Sequence, residues 1–191
     1  MKCRAITVFV ILLLVAGCSS PASDIRYYQL VATAPAAIDS QTQQPLIIAP
    51  IKVASYLNGS GLVLQQSAVE FSIARQHLWA DALEQQLQRH LMEYLLLALP
   101  KQPLAALNTA GARTLQLEID RFYASDNGLA LISGRYTLSE ATNSKTVPFS
   151  YQVALAADGY PAMVQALSQG WHQLLQELAT LLAAPVTASN P

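Results

Sequence analysis

The chain has 191 residues, 52% of them hydrophobic and only 12% charged, with 11 basic side chains against 12 acidic ones. So sparse and balanced a charge leaves no basic stripe to displace counterions from phosphates, which argues against nucleic acid as a partner. Its two cysteines, Cys3 and Cys18, both lie near the N-terminus. The body of the chain therefore holds no thiol nucleophile, thiolate metal site or disulfide.

Lys2 and Arg4 give the N-terminus its positive charge, and Ala5 to Val15 follow as a run of eleven residues that is apolar apart from Thr7. A bilayer core needs about 20 such residues, so the run reads as a secretory signal rather than a span. It ends in Val15-Ala16-Gly17-Cys18, which resembles the lipobox of bacterial lipoproteins. Ala16 and Gly17 are small enough for a peptidase cleft, and a thiol is the soft nucleophile that takes a lipid. The resemblance implies cleavage before Cys18, a diacylglycerol on its sulfur and an acyl chain on its new amino group. No other cofactor is expected. The same resemblance makes Ser19 the sorting residue: in enteric-type lipoproteins an aspartate there tends to retain the protein at the inner membrane, whereas serine permits transfer to the outer one. The chain then divides into a signal peptide (1–17), a lipidated tether (18–24), one domain (25–184) and a flexible tail (185–191).

Within the domain, "IRYYQLVA" (25–32) is rich in β-formers and predicts a first strand, followed by loop composition over 33–44. "PLIIAPIKVA" (45–54) predicts another strand, at an edge or with a bulge, because Pro50 has no amide to donate. "YLNGSG" (56–61) is a turn, and two short strands follow it. The second strand puts Val69, Phe71 and Ile73 on one face. From about His77 the period changes: Trp79, Leu83, Leu87, Leu91 and Leu95 recur every fourth residue, predicting an amphipathic helix to Ala98 that Pro100 stops. "TLQLEIDRFYA" (114–124) alternates Leu115, Leu117 and Ile119 against polar residues. The "SDNG" turn (125–128) then returns it into "LALISGRYTL" (129–138), and 146–155 supplies a third strand. Asp158-Gly159 leads to Pro161 in the first turn of a last helix, which carries Met163, Leu167, Trp171, Leu174, Leu178 and Leu181 at helical spacing. Gly170 inside that helix marks a place of close packing. The expected fold is α+β: a single domain with a mainly antiparallel sheet packed by two long amphipathic helices, in the order strands, helix, strand meander, helix.

Chemistry-bearing patterns are sparse. His77, His90 and His172 lie on two predicted helices with no pair at i, i+4, so no metal ligand set is assigned. "NGSGL" (58–62) lacks the spacing of a nucleophile elbow and sits between strands. Glu118 and Asp120 alternate with core positions, as a solvated sheet face does. The reading is of a non-enzyme.

Four features occur in one order: the lipobox; "RYYQL"; "VASYLNGSGLVLQQSAVEFSIARQHLWADALEQQL"; and "DGYPAMVQALSQGW". Together they resemble the ABC-type transport auxiliary lipoproteins, in their PqiC-like branch, with Tyr27, Tyr28, Leu30, Tyr56, Leu57, Trp79 and Ala80 as the carried-over positions. The resemblance implies an outer-membrane lipoprotein subunit without catalysis. It would dock on a PqiB-like MCE protein, whose tunnel crosses the periplasm to move lipids, and would support envelope integrity. It also implies a homo-oligomeric ring held to the inner leaflet of the outer membrane. The "YLNGSG" turn supplies the candidate partner or oligomer contacts (Tyr56, Leu57, Asn58, Gly59 and Gly61), because turns expose side chains. Tyr27, Tyr28, Trp79 and Trp171 are expected to be structural aromatics. The competing readings are a stand-alone lipid-binding carrier and an envelope-assembly scaffold.

Overall fold

A computed structural model describes residues 24–40, 44–140 and 143–184. The signal, the tether up to residue 23 and the tail from residue 185 lie outside the described residues. Among the described residues eight strands form one mixed sheet: β1 (Arg26–Tyr28), β2 (Leu46–Ile48), β3 (Lys52–Val53), β4 (Gly61–Gln65), β5 (Phe71–Trp79), β6 (Arg113–Ser125), β7 (Leu129–Glu140) and β8 (Asn143–Ala154). Helix α1 (Leu83–Ala98) follows β5, and α2 (Tyr160–Ala183) follows β8. The strand order is β1-β5-β4-β6-β7-β8, with β2 and β3 also paired along β6. The long ladders β6/β7 and β7/β8 are antiparallel, as expected of a meander. β1 on β5, and β2, β3 and β4 on β6, are short parallel pairs.

Pro50 explains why the apolar run 45–54 makes two strands. The Ala49 amide still donates to the Leu115 carbonyl (2.9 Å), but the Ile51 amide turns away to Gln88 Oε1 on α1 (2.9 Å). Pro148 does related work on the free edge of β8. The Leu155 amide donates to Gly128 O (2.9 Å), so in the unbroken β7/β8 register the even-numbered amides point outward. Pro148 removes one of those donors and blunts the edge against pairing with another chain.

Helix α1 begins at Leu83, six residues later than the spacing predicts. Residues 77–79 are held as strand: Arg26, Tyr27 and Tyr28 align with His77, Leu78 and Trp79, and the Trp79 amide donates to Ser60 O (2.7 Å). Trp79 fits the fourfold spacing of the helix yet reaches the core from a strand. Leu83, Leu87, Leu91 and Leu95 of α1 are at most 2% exposed, as are Leu167, Trp171, Leu174 and Leu178 of α2. They cover Leu115, Leu117, Ile119 and Ile132 of the sheet, each fully buried aliphatic side chain contributing about 1.5–3 kcal/mol. α2 opens at Gly159, whose φ of 99° only glycine adopts easily, with Pro161 in the first turn. At Gly170 a Cβ would lie 2.3 Å from Ile132 Cδ1, which accounts for a glycine inside a helix. Buried Arg113 ties the sheet to the end of α2: its Nη2 donates to Gln102 Oε1 (3.1 Å) and Leu182 O (3.2 Å), with Glu140 3.6 Å from Nη1.

Candidate functional site

Cys18 and Ser19 lie outside the described residues. The edge strand β1 begins at Arg26, eight residues after Cys18 in the sequence. Among the described residues no helix is long and apolar enough to cross a membrane.

The "YLNGSG" turn divides between interior and surface. A 3-10 turn over Ser55–Leu57 closes through Leu57 N to Ala54 O (2.9 Å) and drives Leu57 into the core, 2% exposed. Gly61 is buried too: a Cβ there would sit 2.3 Å from the Ala74 carbonyl oxygen. Neither residue presents a side chain to a partner, whereas Asn58 and Gly59 are exposed. Tyr56 is half-buried. Its hydroxyl donates to the Asp120 carbonyl (2.7 Å), and burial, aided by nearby Tyr123, pushes its phenol up to about 12. Asp120 is the extra residue where β6 slips against β7 between Ile119 and Arg121, so the phenol caps a bulge. Tyr56→Phe is expected to lower stability by about 1 kcal/mol, with Asp120 O left to water. Chemical denaturation checks this, and no change in midpoint would contradict it.

Tyr56 also joins an aromatic corner with Phe71 (5.4 Å between ring centroids) and Tyr123 (6.4 Å), while Phe71 meets Tyr123 edge-on at 5.1 Å. Phe71 therefore lies on the Tyr123 face of the sheet. Trp79, on the same strand and of the same parity, packs on Phe122 instead (6.3 Å), on the opposite, helix-covered face. The β4/β5 register explains the switch: it passes from Val63 opposite Ile73 to Gly61 opposite Leu78, so two steps of β4 match five of β5. The alternating residues Phe71 and Ile73 thus face outward, 44% and 53% exposed, and Val69 at the hairpin tip is 91% exposed. Tyr27 is 65% exposed as well, contrary to its expected structural place. Its neighbour Tyr28 takes the helix side, 6.4 Å from the Tyr160 ring and with its hydroxyl 2.8 Å from His77 Nδ1, and in a strand adjacent residues face opposite ways. Trp79 and Trp171 are core aromatics, 6% and 2% exposed.

On the helix side, the segment after β1 crosses both helices. The Leu30 amide donates to Gln86 Oε1 (3.0 Å), that of Val31 to Ser168 Oγ (3.0 Å) and that of Ile38 to Ala98 O (2.7 Å). A cleft of about 250 Å³ lies beside this strap, lined by Val31, His90, Tyr94, Leu97, Trp171 and His172 among others. The histidines take separate places: His77 stacks on Tyr160 (3.9 Å), His172 meets Tyr94 edge-on (5.4 Å), and His90 is buried in α1. Among the described residues no three His, Cys, Asp or Glu side chains group closely enough to hold a metal ion. Burial holds the His90 imidazole below its ordinary 6.5, with Glu93 opposing and Arg89 adding to the shift. The unfolded chain takes up a proton near pH 6.5 that the folded site resists, so His90 favours folding above that pH and less so below it. The melting temperature is therefore expected to fall from about pH 7.5 to about pH 5, and less steeply in His90→Gln. Equal slopes in the two proteins would contradict this.

The exposed Phe71–Ile73 stripe and the buried Arg113 are features that the sequence reading missed. The alternation of Val69, Phe71 and Ile73 was visible, but not which way it faces.

The family model described as "ABC-type transport auxiliary lipoprotein component" matches residues 28–179. The chain is 33% identical over 167 residues to a protein of Escherichia coli (strain K12) named intermembrane transport lipoprotein PqiC, covering 86% of this chain and 89% of that relative. A Shigella flexneri protein of the same name matches equally. A crystal structure of an uncharacterized protein superposes with a TM-score of 0.72 at 31% identity, covering 83% of this chain and 98% of that one. A Xanthomonas campestris protein shares the fold at 15% identity, with a TM-score of 0.68 and coverage of 83% and 94%.

Proposed function

The chain belongs to the family of ABC-type transport auxiliary lipoproteins, and on that premise we propose that it is the outer-membrane lipoprotein subunit of an intermembrane lipid-transport system. In this reading Cys18 carries the diacylglycerol and acyl chain, and Ser19 lets the protein pass to the outer membrane. The domain faces the periplasm, assembles with copies of itself, and docks at the outer end of a PqiB-like MCE tunnel. It acts by position, without catalysis, and supports envelope integrity.

One observation carries the reading: the 33% identity extends over 167 residues, 86% of the chain, to lipoproteins named for intermembrane transport. A short motif on an unrelated fold would not give that. The described fold is compatible with a docking part. Lipid on Cys18, eight residues before the first strand residue Arg26, would hold the sheet close to the bilayer, which raises the local concentration of any partner arriving there.

The placement is tested by separating membranes on a sucrose gradient. The protein is expected to band with outer-membrane markers, and a strain lacking it should become sensitive to envelope stress. Banding with inner-membrane markers would refute the placement.

A further inference from the structure

The outer face of the sheet changes character along its width. Across β6, β7 and β8 it is polar: Arg135 pairs with Glu118 and Asp120, and Thr137 Oγ1 lies 2.9 Å from Thr146 Oγ1. At the β1/β5 edge it is apolar, with Ile25, Tyr27, Val69, Phe71 and Ile73 between 44% and 91% exposed.

The register shift in β5 makes these residues one patch. Leu78 stands two β4 steps from Ile73, about 7 Å, and Tyr27 is aligned with Leu78 on the next strand. Ile73 Cγ2 reaches to 2.7 Å from where a Gly61 Cβ would stand, and Gly61 is itself opposite Leu78. Phe71 and then Val69 continue from Ile73 to the hairpin tip. Arg75 is exposed two residues after Ile73 on β5, and exposed Arg121 and Asp120 both act on Tyr56, which packs on Phe71; Glu70 adds a carboxylate at the tip.

The start of the chain indicates what covers this patch. β1 runs parallel to β5, so its first residue, Arg26, stands at the end nearer Phe71. Cys18 is six residues before Asp24, which limits its reach to about 20 Å. Aromatic and aliphatic side chains beside arginines match the chemistry of a membrane interface, where amphipathic rings sit at headgroup level.

We infer that the apolar β1/β5 face, centred on Tyr27, Phe71 and Ile73, is a second membrane contact that lies in the phospholipid headgroup region beside the lipid anchor. The inference rests on the reading that Cys18 is acylated. It fixes the orientation of the domain: the sheet edge meets the bilayer, and the polar β6–β8 face stays in water.

The test uses the full acylated chain in phosphatidylethanolamine/phosphatidylglycerol vesicles, with Phe71→Trp as reporter. Trp79 and Trp171 are buried and set the background. Bromines on the lipid acyl chains are expected to reduce the reporter emission about twofold, since an interfacial face sits about 5–10 Å into the headgroup boundary. Tyr27→Trp should respond likewise, which covers the case of a Phe71→Trp chain that fails to fold. Emission from both reporters no more quenched than the parent protein would overturn the contact. So would shielding that grows with protein concentration but ignores bromine, because the patch would then meet a second copy of the chain. Failure of the anchor reading shows separately, as missing acyl mass on the starting protein. Failure of the face contact shows as an unquenched reporter on a fully acylated, vesicle-bound chain.

Discussion

Cys18→Ala is expected to empty the outer-membrane fraction of this protein and to reduce envelope resistance to that of a strain lacking it. On the proposed acylation of Cys18 the effect is large: each buried methylene adds about 0.8 kcal/mol, so three acyl chains would far exceed the marginal hold of one myristoyl group. Among the described residues no helix offers a replacement span. An apolar sheet face lying in the interface is far too weak to substitute, and its contribution is reversible. The check is immunoblotting of separated membranes alongside a growth assay under envelope stress. A Cys18→Ala protein that kept both its outer-membrane place and full function would contradict the anchor.

Gly134→Val is expected to be the most damaging change within the domain. Gly134 is in β7 opposite Ile119, where β6 bulges at Asp120. A Cβ there would lie 2.0 Å from the Glu118 carbonyl oxygen and 3.0 Å from the Phe149 ring. The first of these is backbone in the central ladder, so relief requires moving the strand rather than a side-chain tip. The expected loss is about 3 kcal/mol, or roughly 6–12 °C in melting temperature for a domain of this size. Thermal unfolding followed by circular dichroism checks it. A variant that melted within error of the parent would show that the bulge yields more easily than its geometry implies.

The elements that the sequence foretold are those whose signal is local. The β6–β7–β8 meander follows from alternation broken by an Asp-Asn-Gly turn, and α2 from leucine spacing behind Gly159 and Pro161. What was hidden depends on distant partners. Trp79 continues the fourfold spacing of α1, yet β1 and Ser60, more than 15 residues upstream, claim its backbone for the sheet. Alternation at Val69, Phe71 and Ile73 gives a face but not its direction, because the slip between β4 and β5 reverses parity along a single strand. The parallel pairs of β2, β3 and β4 on β6 make the sheet mixed, and no local pattern encodes them. In the candidate contact turn, Asn-Gly composition announced a bend. It did not announce that Leu57 would plug the core, or that Gly61 would be needed for the approach of the Ala74 carbonyl.

The proposed docking is tested most directly by attempting to co-purify this lipoprotein with an MCE-type tunnel protein from detergent-solubilised membranes. Tagged lipoprotein is expected to bring down the tunnel protein in stable ratio, before and after cross-linking. Recovery of the lipoprotein alone, across several detergents and with cross-linker present, would contradict it.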